Sequence, residues 1–342
     1  MSVIYLTSNK PRAGKTSLAV SLAKQLSSQG KNVNTFKPFY TLGNPIAQEF
    51  DSQILQDAST NGPDKTKDWP IAISADQDVP NEEIVRAMEP FAQLKSKADV
   101  TIVEGVSGLE GPTASLSGKI VSMIDAKVLV VLRHEEDRNV EEATLAKAIF
   151  GDRLAGVLLN GVTAYKKRQV TTNLEPALES SGVNFIGFIP EDRRLLGVTA
   201  RQLADHIGGQ FLSWEDKQDN LVEHIMIGGL VLDWGVLYFQ QHENKAVIVR
   251  ADRPDIQMAA LGTPTSCIVL TGGQAPIQYI EYESQEEEIP LIQVQSDTLS
   301  TTAALETIQE VAKFDHPLKH ERFIQLMESQ GVWDNIYASI DI

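Results

Sequence analysis

Short apolar runs alternate with amphipathic stretches along residues 1–212. The runs have the length of strands and are rich in Val, Ile and Leu, and the stretches between them have helical spacing. The predicted strands are Val3–Leu6, Val33–Lys37, Val100–Glu104, Lys127–Leu132, Gly156–Asn160 and Asn184–Ile189. The predicted helices are Lys15–Gln29, Asn81–Lys97, Val140–Phe150 and Arg168–Ser181. Strands that are apolar on both faces, with helices between them, predict an α/β fold with a parallel sheet and flanking helices.

A polar segment at residues 211–220 (FLSWEDKQDN) separates this pattern from a second, smaller α/β alternation. Its elements are predicted at Val247–Arg250, Ile256–Leu261, Ser266–Leu270, Ile277–Tyr282, Leu291–Val294 and Thr301–Val311, followed by an amphipathic segment, His320–Gln330. We therefore expect two domains, 1–212 and 213–342, with the C-terminal helix in the second. The irregular stretch Asn44–Pro80, rich in Asn, Asp, Pro and Thr, is expected to be a long insertion beside the active site.

Charge and composition restrict the class of protein. The 342 residues include 30 Lys+Arg and 46 Asp+Glu, a formal net charge of −16, so neither nucleic acid nor an anionic membrane surface is an expected partner. The apolar runs are too short to span a bilayer, and the N-terminal residues lack the pattern of a signal peptide. The single cysteine, Cys267, excludes an internal disulfide. We expect a soluble, cytoplasmic protein.

The strongest chemical signal is the segment Ser8–Thr16, SNKPRAGKT, which follows the first predicted strand and opens the first helix. Backbone N–H groups in such a loop form an anion-binding nest, and Gly14 lets the backbone approach phosphates. Lys15 would reach the β- and γ-phosphates, and the Thr16 hydroxyl would ligate Mg²⁺. Asn9 replaces the usual first glycine of the motif. The loop therefore predicts ATP and Mg²⁺ as cofactors, with further contacts from Asn9, Lys10, Arg12, Ala13 and Ser17.

Lys10 adds a second feature to this loop. A lysine four residues before the loop glycine resembles the signature lysine of deviant-Walker ATPases, which reaches across a dimer to the partner's nucleotide. Alternatively, Lys10 is an exposed loop lysine, or Arg12 serves in its place. The sequence leaves these alternatives open.

Three other polar residues are candidates for the same crevice. Glu104 ends a buried strand, and ligands of α/β sheets bind beyond the carboxyl ends of the strands. Glu104 is therefore a candidate Mg²⁺ ligand, or else a strand-end carboxylate in solvent. Lys37 ends the second strand and is expected to point into the same crevice. Asp51 opens a short helical segment, either as an N-cap or as a second Mg²⁺ ligand, and spacing alone does not decide between them.

The ordered segments SNKPRAGKT, FKP, DSQILQ, VEG and LLN resemble the dethiobiotin-synthetase branch of P-loop proteins over roughly residues 1–212. The resemblance implies phosphate, substrate or metal binding at the matching positions, which are Lys15, Thr16, Lys37, Asp51 and Glu104. It also implies that Asn160 contacts the adenine base and that Pro190 and Glu191 line the same region. Pro11 and Arg12 depart from that family's loop, as does Val106–Pro112 from its substrate loop, which argues against the biotin-pathway substrate.

Residues from about 225 to 312 resemble a DRTGG domain, whose motif stands here as Asp252-Arg253 and Thr271-Gly272-Gly273. Both parts follow predicted strands, so a charge pair would lie beside a glycine turn. Such a pair could bind an anion or take part in an interface. Alternatively, it is a structural ion pair next to a turn. The order of the two domains resembles the N-terminal half of long phosphate acetyltransferases. The related cobyrinic-acid amidating synthetases carry a nucleophilic cysteine, but Cys267 lies inside a predicted buried strand and is rejected for that role.

Two functions remain open. The first is a Mg²⁺-dependent, ATP-binding P-loop protein with ATPase or carboxylate-activating ligase chemistry, in which Lys15 and Lys37 are catalytic and the acceptor is an unknown small carboxylate or carbamate. The alternative is a nucleotide-sensing regulator of a partner enzyme in an acetyl-phosphate pathway. Only the resemblance at Asn160 favours ATP over GTP. A homodimer is expected from Lys10, from the resemblances and from the apolar run Ile225–Leu237, and a monomer that buries this run between domains is the alternative.

Overall fold

The computed structural model describes residues 1–42, 46–60, 70–135, 138–229 and 232–341, without the side chains of residues 46–51, 232 and 233. Contacts divide the chain into two units, one of Met1–Asp192 with Pro317–Ile342 and one of Arg193–His316. This division differs from the boundary expected at residue 212. The chain leaves the first unit earlier than expected, and its C-terminal helices belong to the first unit and not to the second.

The elements have the following bounds. The strands are β1 (Ser2–Ser8), β2 (Val33–Phe36), β3 (Phe39–Thr41), β4 (Ile71–Ile73), β5 (Val100–Ser107), β6 (Lys127–Arg133), β7 (Leu154–Val162), β8 (Phe185–Pro190), β9 (Val198–Thr199), β10 (Gln210–Phe211), β11 (Leu221–Val222), β12 (His224–Ile227), β13 (Lys245–Arg250), β14 (Thr265–Thr271) and β15 (Leu291–Gln293). The helices are α1 (Lys15–Ser28), α2 (Ile46–Ala58), α3 (Asn81–Ser96), α4 (Gly111–Ile124), α5 (Asn139–Phe150), α6 (Lys167–Gln169), α7 (Glu175–Ser180), α8 (Ala200–Ile207), α9 (Leu232–Phe239), α10 (Pro254–Leu261), α11 (Gln278–Glu286), α12 (Thr298–Ala304), α13 (Pro317–Ser329) and α14 (Val332–Ile340).

The first unit is built on a six-stranded parallel sheet with the strand order β2-β5-β1-β6-β7-β8. Its strands are buried on both faces, as in β6, where Val128–Leu132 are all buried. The parallel sheet with flanking helices expected from the sequence is therefore confirmed. Strand β1 lies between β5 and β6, so the loop after β1 opens at the carboxyl edge between two neighbouring strands. Among the residues that can be described, no helix is long and apolar enough to cross a membrane.

Two segments of the first unit differ from the sequence-based expectation. Helix α4 follows β5 directly, although no helix was predicted between Glu104 and Lys127. Its first turn contains Gly111 and Pro112, and its hydrophobic positions do not form a strong amphipathic pattern. The expected insertion at Asn44–Pro80 contains all of α2 and the short strand β4, while residues 44–45 and 61–69 lie outside the described part of the chain.

The C-terminal helices α13 and α14 complete the core of the first unit. Helix α13 packs against α1, and α14 packs against β7 and β8. Their inward side chains are almost fully buried and include Phe323, Met327, Val332, Trp333 and Ile336. Arg322 of α13 also forms an ion pair with Asp192, the last residue before the chain enters the second unit.

The second unit contains a five-stranded sheet with the order β10-β15-β14-β13-β12. Strands β12 to β15 are parallel, and β10 is antiparallel to β15. One face packs against α9, α10 and α11 through side chains such as Phe239, Ile256 and Ile280. The other face packs against α8 and the 3₁₀ segment Leu305–Val311. The smaller α/β unit expected to follow the first one is thereby confirmed.

Candidate functional site

The loop between β1 and α1 has a backbone that requires glycine at one position. Gly14 has a φ of +103°, which side chains of L-residues rarely adopt. A Cβ at residue 14 would also collide with the side-chain amide nitrogen of Asn160. The Gly14 carbonyl then accepts from the Leu18 N–H at 3.0 Å, which starts the hydrogen-bond ladder of α1. The positive φ of residue 14 and the close approach of the Asn160 side chain thus both require glycine at this position of the motif.

Asn160 of β7 contacts the loop between β1 and α1. It lies near the end of β7, and its Nδ2 donates a hydrogen bond to the carbonyl oxygen of Ala13 at 2.8 Å. The carbonyl oxygen of Asn160 accepts from the His134 N–H at 2.9 Å. The structure therefore assigns Asn160 a contact with the loop. The contact with the nucleotide base implied by the resemblance stays a prediction.

Asn9, which stands where the motif usually has its first glycine, is the centre of a partly buried hydrogen-bond network. Its Nδ2 donates to both carboxylate oxygens of Glu142 at 3.0 Å, and its Oδ1 accepts from the Arg133 N–H at 3.1 Å. Asn139 donates to Glu142 Oε2 at 3.1 Å and to the Arg133 carbonyl at 3.0 Å. The network ties the loop to β6 and α5. The departure from the usual motif thus replaces a glycine by a side chain that anchors the loop.

Lys15 lies at the start of α1 with a buried side chain. Its ammonium group donates to Ser8 Oγ at 3.0 Å and to Ser107 Oγ. The backbone N–H of Gly108 donates to the Ser8 carbonyl at 2.8 Å, so the end of β5 is tied to the end of β1. Ser107 was not among the residues singled out from the sequence. The only sequence signal that could have found it is its position three residues after Glu104 on the same strand.

Glu104, three residues before the end of β5, and Lys37, directly after β2, form a buried ion pair. Lys37 Nζ lies 2.8 Å from Glu104 Oε1, and the Glu104 side chain is only 2% exposed. The second carboxylate oxygen, Oε2, is buried and has no hydrogen-bond partner within the described chain. An unpartnered buried carboxylate oxygen is costly. Hard divalent cations such as Mg²⁺ bind oxygen ligands of this kind, so Glu104 fits the metal role expected for it.

The other expected metal ligands are only partly described. Thr16 lies in the first turn of α1, next to Lys15, and is half-buried. Asp51 lies in the middle of α2 and not at the start of a helix, so the N-cap alternative is wrong. Its side chain is outside the described residues. Within the described chain no three His, Cys, Asp or Glu side chains form a cluster that could hold a metal by themselves.

Lys10 has a partner in its own chain. Its ammonium group forms an ion pair with Glu135, which follows β6. Both side chains are more than a third exposed, so the pair contributes little to stability. Arg12 is exposed and has a φ of 57°. The reach of Lys10 across a dimer therefore stays a prediction, and it requires Lys10 to leave Glu135.

A second charged pair lies at the ends of β6 and β8. Arg133 Nη2 is 3.7 Å from Glu191 Oε1, and a Cβ on Gly161 would collide with the Arg133 guanidinium. The guanidinium thus lies over the backbone next to Asn160. Pro190, the last residue of β8, is buried and pairs with Val162. Arg133 was missed in the sequence, although it directly follows the predicted strand Lys127–Leu132, and this strand-end position, which singled out Lys37 and Glu104, is the signal that could have found it.

The DRTGG motif of the second unit forms a different arrangement from the expected charge pair. Asp252 pairs with Arg250, and Arg253 forms two hydrogen bonds with Asp255 at 2.9 and 2.8 Å, which lowers the pKa of that carboxyl group. The N–H groups of the glycine turn are used internally. Gly272 donates to the carbonyl of residue 296 at 2.9 Å, and Gly273 to that of residue 294 at 3.0 Å. This geometry favours the structural interpretation of the motif over an anion site.

Family comparisons agree with this two-unit organisation. The family model described as an AAA domain matches residues 2–199, and the DRTGG domain model matches residues 202–308. The chain belongs to this AAA-domain family, and its first unit is a P-loop nucleotide-binding domain. A DRTGG domain follows it.

The curated relatives match the same regions. A phosphate acetyltransferase of Synechocystis sp. is 21% identical over 355 residues, which cover 96% of this chain and 50% of the relative. The ATP-dependent dethiobiotin synthetase BioD of Bacillus subtilis is 23% identical over 60% of this chain and 95% of its own. The cobyrinate a,c-diamide synthase of Clostridium tetani is 28% identical over 66% of this chain and 47% of the relative. The resemblances to dethiobiotin synthetases and to the N-terminal half of phosphate acetyltransferases are thus confirmed. The chain spans about half the length of the phosphate acetyltransferases that it matches.

Similar solved structures include the MinD cell division protein of Aquifex aeolicus, with a TM-score of 0.38, 18% identity, and coverage of 57% of this chain and 85% of that one. Another is the regulatory region of a Clostridium perfringens pyrophosphatase with CBS and DRTGG domains, with a TM-score of 0.31, 14% identity, and coverage of 45% and 74%.

Proposed function

We propose that the protein binds ATP with Mg²⁺ in the loop of residues 8–17 and uses it to activate a small carboxylate or carbamate beside Lys37. One observation carries this proposal. Glu104 keeps a buried, unpartnered carboxylate oxygen next to the ammonium group of Lys37. The same strand supplies Ser107, which contacts Lys15 of the phosphate-binding loop. Neighbouring strands β5 and β2 would therefore supply a metal ligand and a cation for an anionic acceptor, and the loop after the adjacent strand β1 would supply the phosphate lysine.

The side chains divide the work as follows. Lys15 would leave Ser8 and Ser107 to bind the β- and γ-phosphates, while the backbone around Gly14 holds the phosphate oxygens. Thr16, Glu104 and Asp51 would hold Mg²⁺, which neutralises charge on the transferring phosphoryl group.

Lys37 would orient the acceptor by its charge. The acceptor oxygen attacks the γ-phosphorus, the bond from that phosphorus to the β–γ bridging oxygen breaks, and ADP leaves while an acyl or carbamoyl phosphate forms. Because the acceptor is already an anion, this step needs no general base.

The nucleotide base would lie on the opposite side of β1 from Glu104 and Lys37. The γ-phosphate of the nucleotide would point toward β5 and β2. The base would then lie near the carboxyl ends of β6, β7 and β8. Asn160, Arg133 and Glu191 lie there. The planar guanidinium of Arg133 is suited to stack on a purine, and Glu191 is suited to accept from an exocyclic amine.

A second candidate function is nucleotide sensing for a partner enzyme of acetyl-phosphate metabolism. The observation that favours it is the alignment of 96% of this chain with half of a phosphate acetyltransferase. In this case ATP would bind at the same loop and turn over slowly.

Calorimetric titration with ATP and with GTP in Mg²⁺ buffer tests the binding step. We expect ATP to bind, Lys15→Ala to abolish binding, and Glu104→Gln to remove the Mg²⁺ dependence. Lys127→Ala is the matched control, because Lys127 is exposed at the start of β6, away from the carboxyl edge. Absence of binding with either nucleotide, or unchanged binding by Lys15→Ala, refutes the proposal. ADP release stimulated by a member of a small-carboxylate panel distinguishes ligase chemistry from sensing.

A further inference from the structure

The side-chain amide of Asn9 has an orientation that Glu142 fixes. Its Nδ2 donates to both carboxylate oxygens of Glu142 at 3.0 Å. Because a carboxylate accepts hydrogen bonds and donates none, the NH₂ group of the amide has to face it. The amide oxygen is thereby turned to the other side, where it accepts from the backbone N–H of Arg133 at 3.1 Å. Glu142 thus determines how Asn9 contacts β6.

Glu142 is itself held by a buried neighbour. It lies in the first turn of α5, is buried, and accepts from Nδ2 of the fully buried Asn139 at 3.1 Å. The same Nδ2 also donates to the carbonyl oxygen of Arg133 at 3.0 Å. Both backbone polar groups of Arg133 are therefore bonded to side chains, the N–H group to Asn9 and the carbonyl to Asn139.

The backbone of Arg133 positions its guanidinium group. Arg133 is the last residue of β6, so its backbone lies where the strand gives way to a loop. The guanidinium lies against the backbone of Gly161 and 3.7 Å from Glu191 Oε1. A binding group keeps its geometry only if the residues that support it are fixed. The place of the guanidinium consequently depends on the hydrogen bond from the Arg133 N–H to Asn9.

Asn9 therefore connects two parts of the proposed nucleotide site. It belongs to the loop of residues 8–17, which would hold the phosphates, and it bonds the residue that would stack on the base. A glycine, the residue that the motif usually has here, would leave the phosphate loop without this connection. The side chain at position 9 is thus placed to act on the base rather than on the phosphates.

We propose that Asn9 and Glu142 are positioning residues for recognition of the base of a nucleoside triphosphate. Their side chains act through Arg133 and do not touch the nucleotide. The preference of the site for ATP over a bare chain of phosphates then depends on them. This inference rests on the proposed function, because it requires a nucleotide in the phosphate loop with its base beside Arg133.

Calorimetry with ATP and with inorganic tripolyphosphate, both in Mg²⁺ buffer, separates the base from the phosphates. The parent should bind ATP about tenfold or more tightly than tripolyphosphate. Glu142→Gln sets one amide against another, and Asn9→Gly removes the amide, so each should lower the ratio of the two affinities about tenfold. Glu141→Gln is the matched control, because it makes the same change of charge at an exposed neighbour on α5, and it should leave the ratio unchanged.

Two combined variants distinguish positioning from a purely structural role. In an Arg133→Met background the guanidinium is already absent, so Asn9→Gly should lower the ratio no further. Asn9→Asp together with Glu142→Gln exchanges the donor and the acceptor. The carboxylate at position 9 can then accept from the amide at position 142 and from the Arg133 N–H, and the ratio should return to within about threefold of the parent value.

The outcomes separate this inference from the proposed function. A parent that binds neither ATP nor tripolyphosphate refutes both. A parent that binds the two ligands equally refutes the positioning role and leaves the phosphate site standing. The same holds if Glu142→Gln and Asn9→Gly weaken both ligands to the same extent or weaken neither. A further loss of the ratio in the Arg133→Met background, or no recovery in the exchanged pair, also overturns the inference.

Discussion

The contact between Gly14 and Asn160 can be tested by a double-mutant cycle. Gly14→Ala places a methyl group against the Asn160 amide at a φ of +103°. The left-handed backbone costs about 1–2 kcal/mol for a residue with a Cβ, and the collision adds about 1–3 kcal/mol as an overpacking term. Asn160→Ala leaves the Ala13 carbonyl without its 2.8 Å donor, at about 1–3 kcal/mol.

The double variant should be less destabilised than the two single variants predict together. Removal of the Asn160 side chain makes room for the methyl group, so the collision disappears and only the backbone cost remains. We expect a coupling of about 1–3 kcal/mol in favour of the double variant. Urea unfolding at constant m-value measures each free energy of unfolding.

Additive losses would refute this account. If the two single effects sum to that of the double variant within about 0.5 kcal/mol, the two sites do not interact. Ser28→Ala, at the exposed end of α1, serves as a control for a change of similar size on the same helix. Nucleotide titration of the four proteins reports whether the loop still binds phosphate.

Three further predictions follow from named contacts. Burial lowers the pKa of Lys245 to about 8. Between pH 8 and 10.5 the unfolded chain therefore binds more protons than the folded one, and the free energy of unfolding rises with pH. Lys245→Met should flatten this rise, as measured by urea unfolding at several pH values. Met327 of α13 is fully buried, and Met327→Ala should lower the free energy of unfolding by about 2–5 kcal/mol, whereas Glu328→Ala, at an exposed position of the same helix, should change it little. Arg133→Met should weaken ATP binding about tenfold or more in calorimetry if the guanidinium stacks on the base at a cost of about 1.4 kcal/mol, and unchanged affinity would contradict that placement.

The parallel sheet and the phosphate loop could be predicted from the sequence because both depend on local patterns. Apolar runs of strand length alternate with helices, and GKT stands directly after the first strand. Helix α4 escaped prediction because Gly111 and Pro112 open it and its pattern is weakly amphipathic. The contacts of Asn9 with Glu142 join residues 133 positions apart, which no local pattern reveals.

The candidate site shows the same limit. Lys37 and Glu104 were both singled out, but their pairing and the unpartnered oxygen of Glu104 depend on strands β2 and β5 being neighbours. Ser107 and Arg133 have no motif of their own. The place of the C-terminal helices was also beyond local reasoning. The amphipathic pattern of His320–Gln330 predicts a buried face, but it does not say which of the two units provides the surface, and α14 was not predicted.

The return of the last helices to the first unit bears on how the chain folds during synthesis. The ribosome makes the chain from the N-terminus, and domains generally fold in that order. Here residues 1–192 emerge without α13 and α14, so the surfaces of α1 and β8 that these helices cover stay open until residues up to 340 have been made. The second unit, residues 193–316, emerges whole before that point. The unit that starts first therefore finishes last, and the nucleotide domain acquires its complete core only after the DRTGG domain has been made.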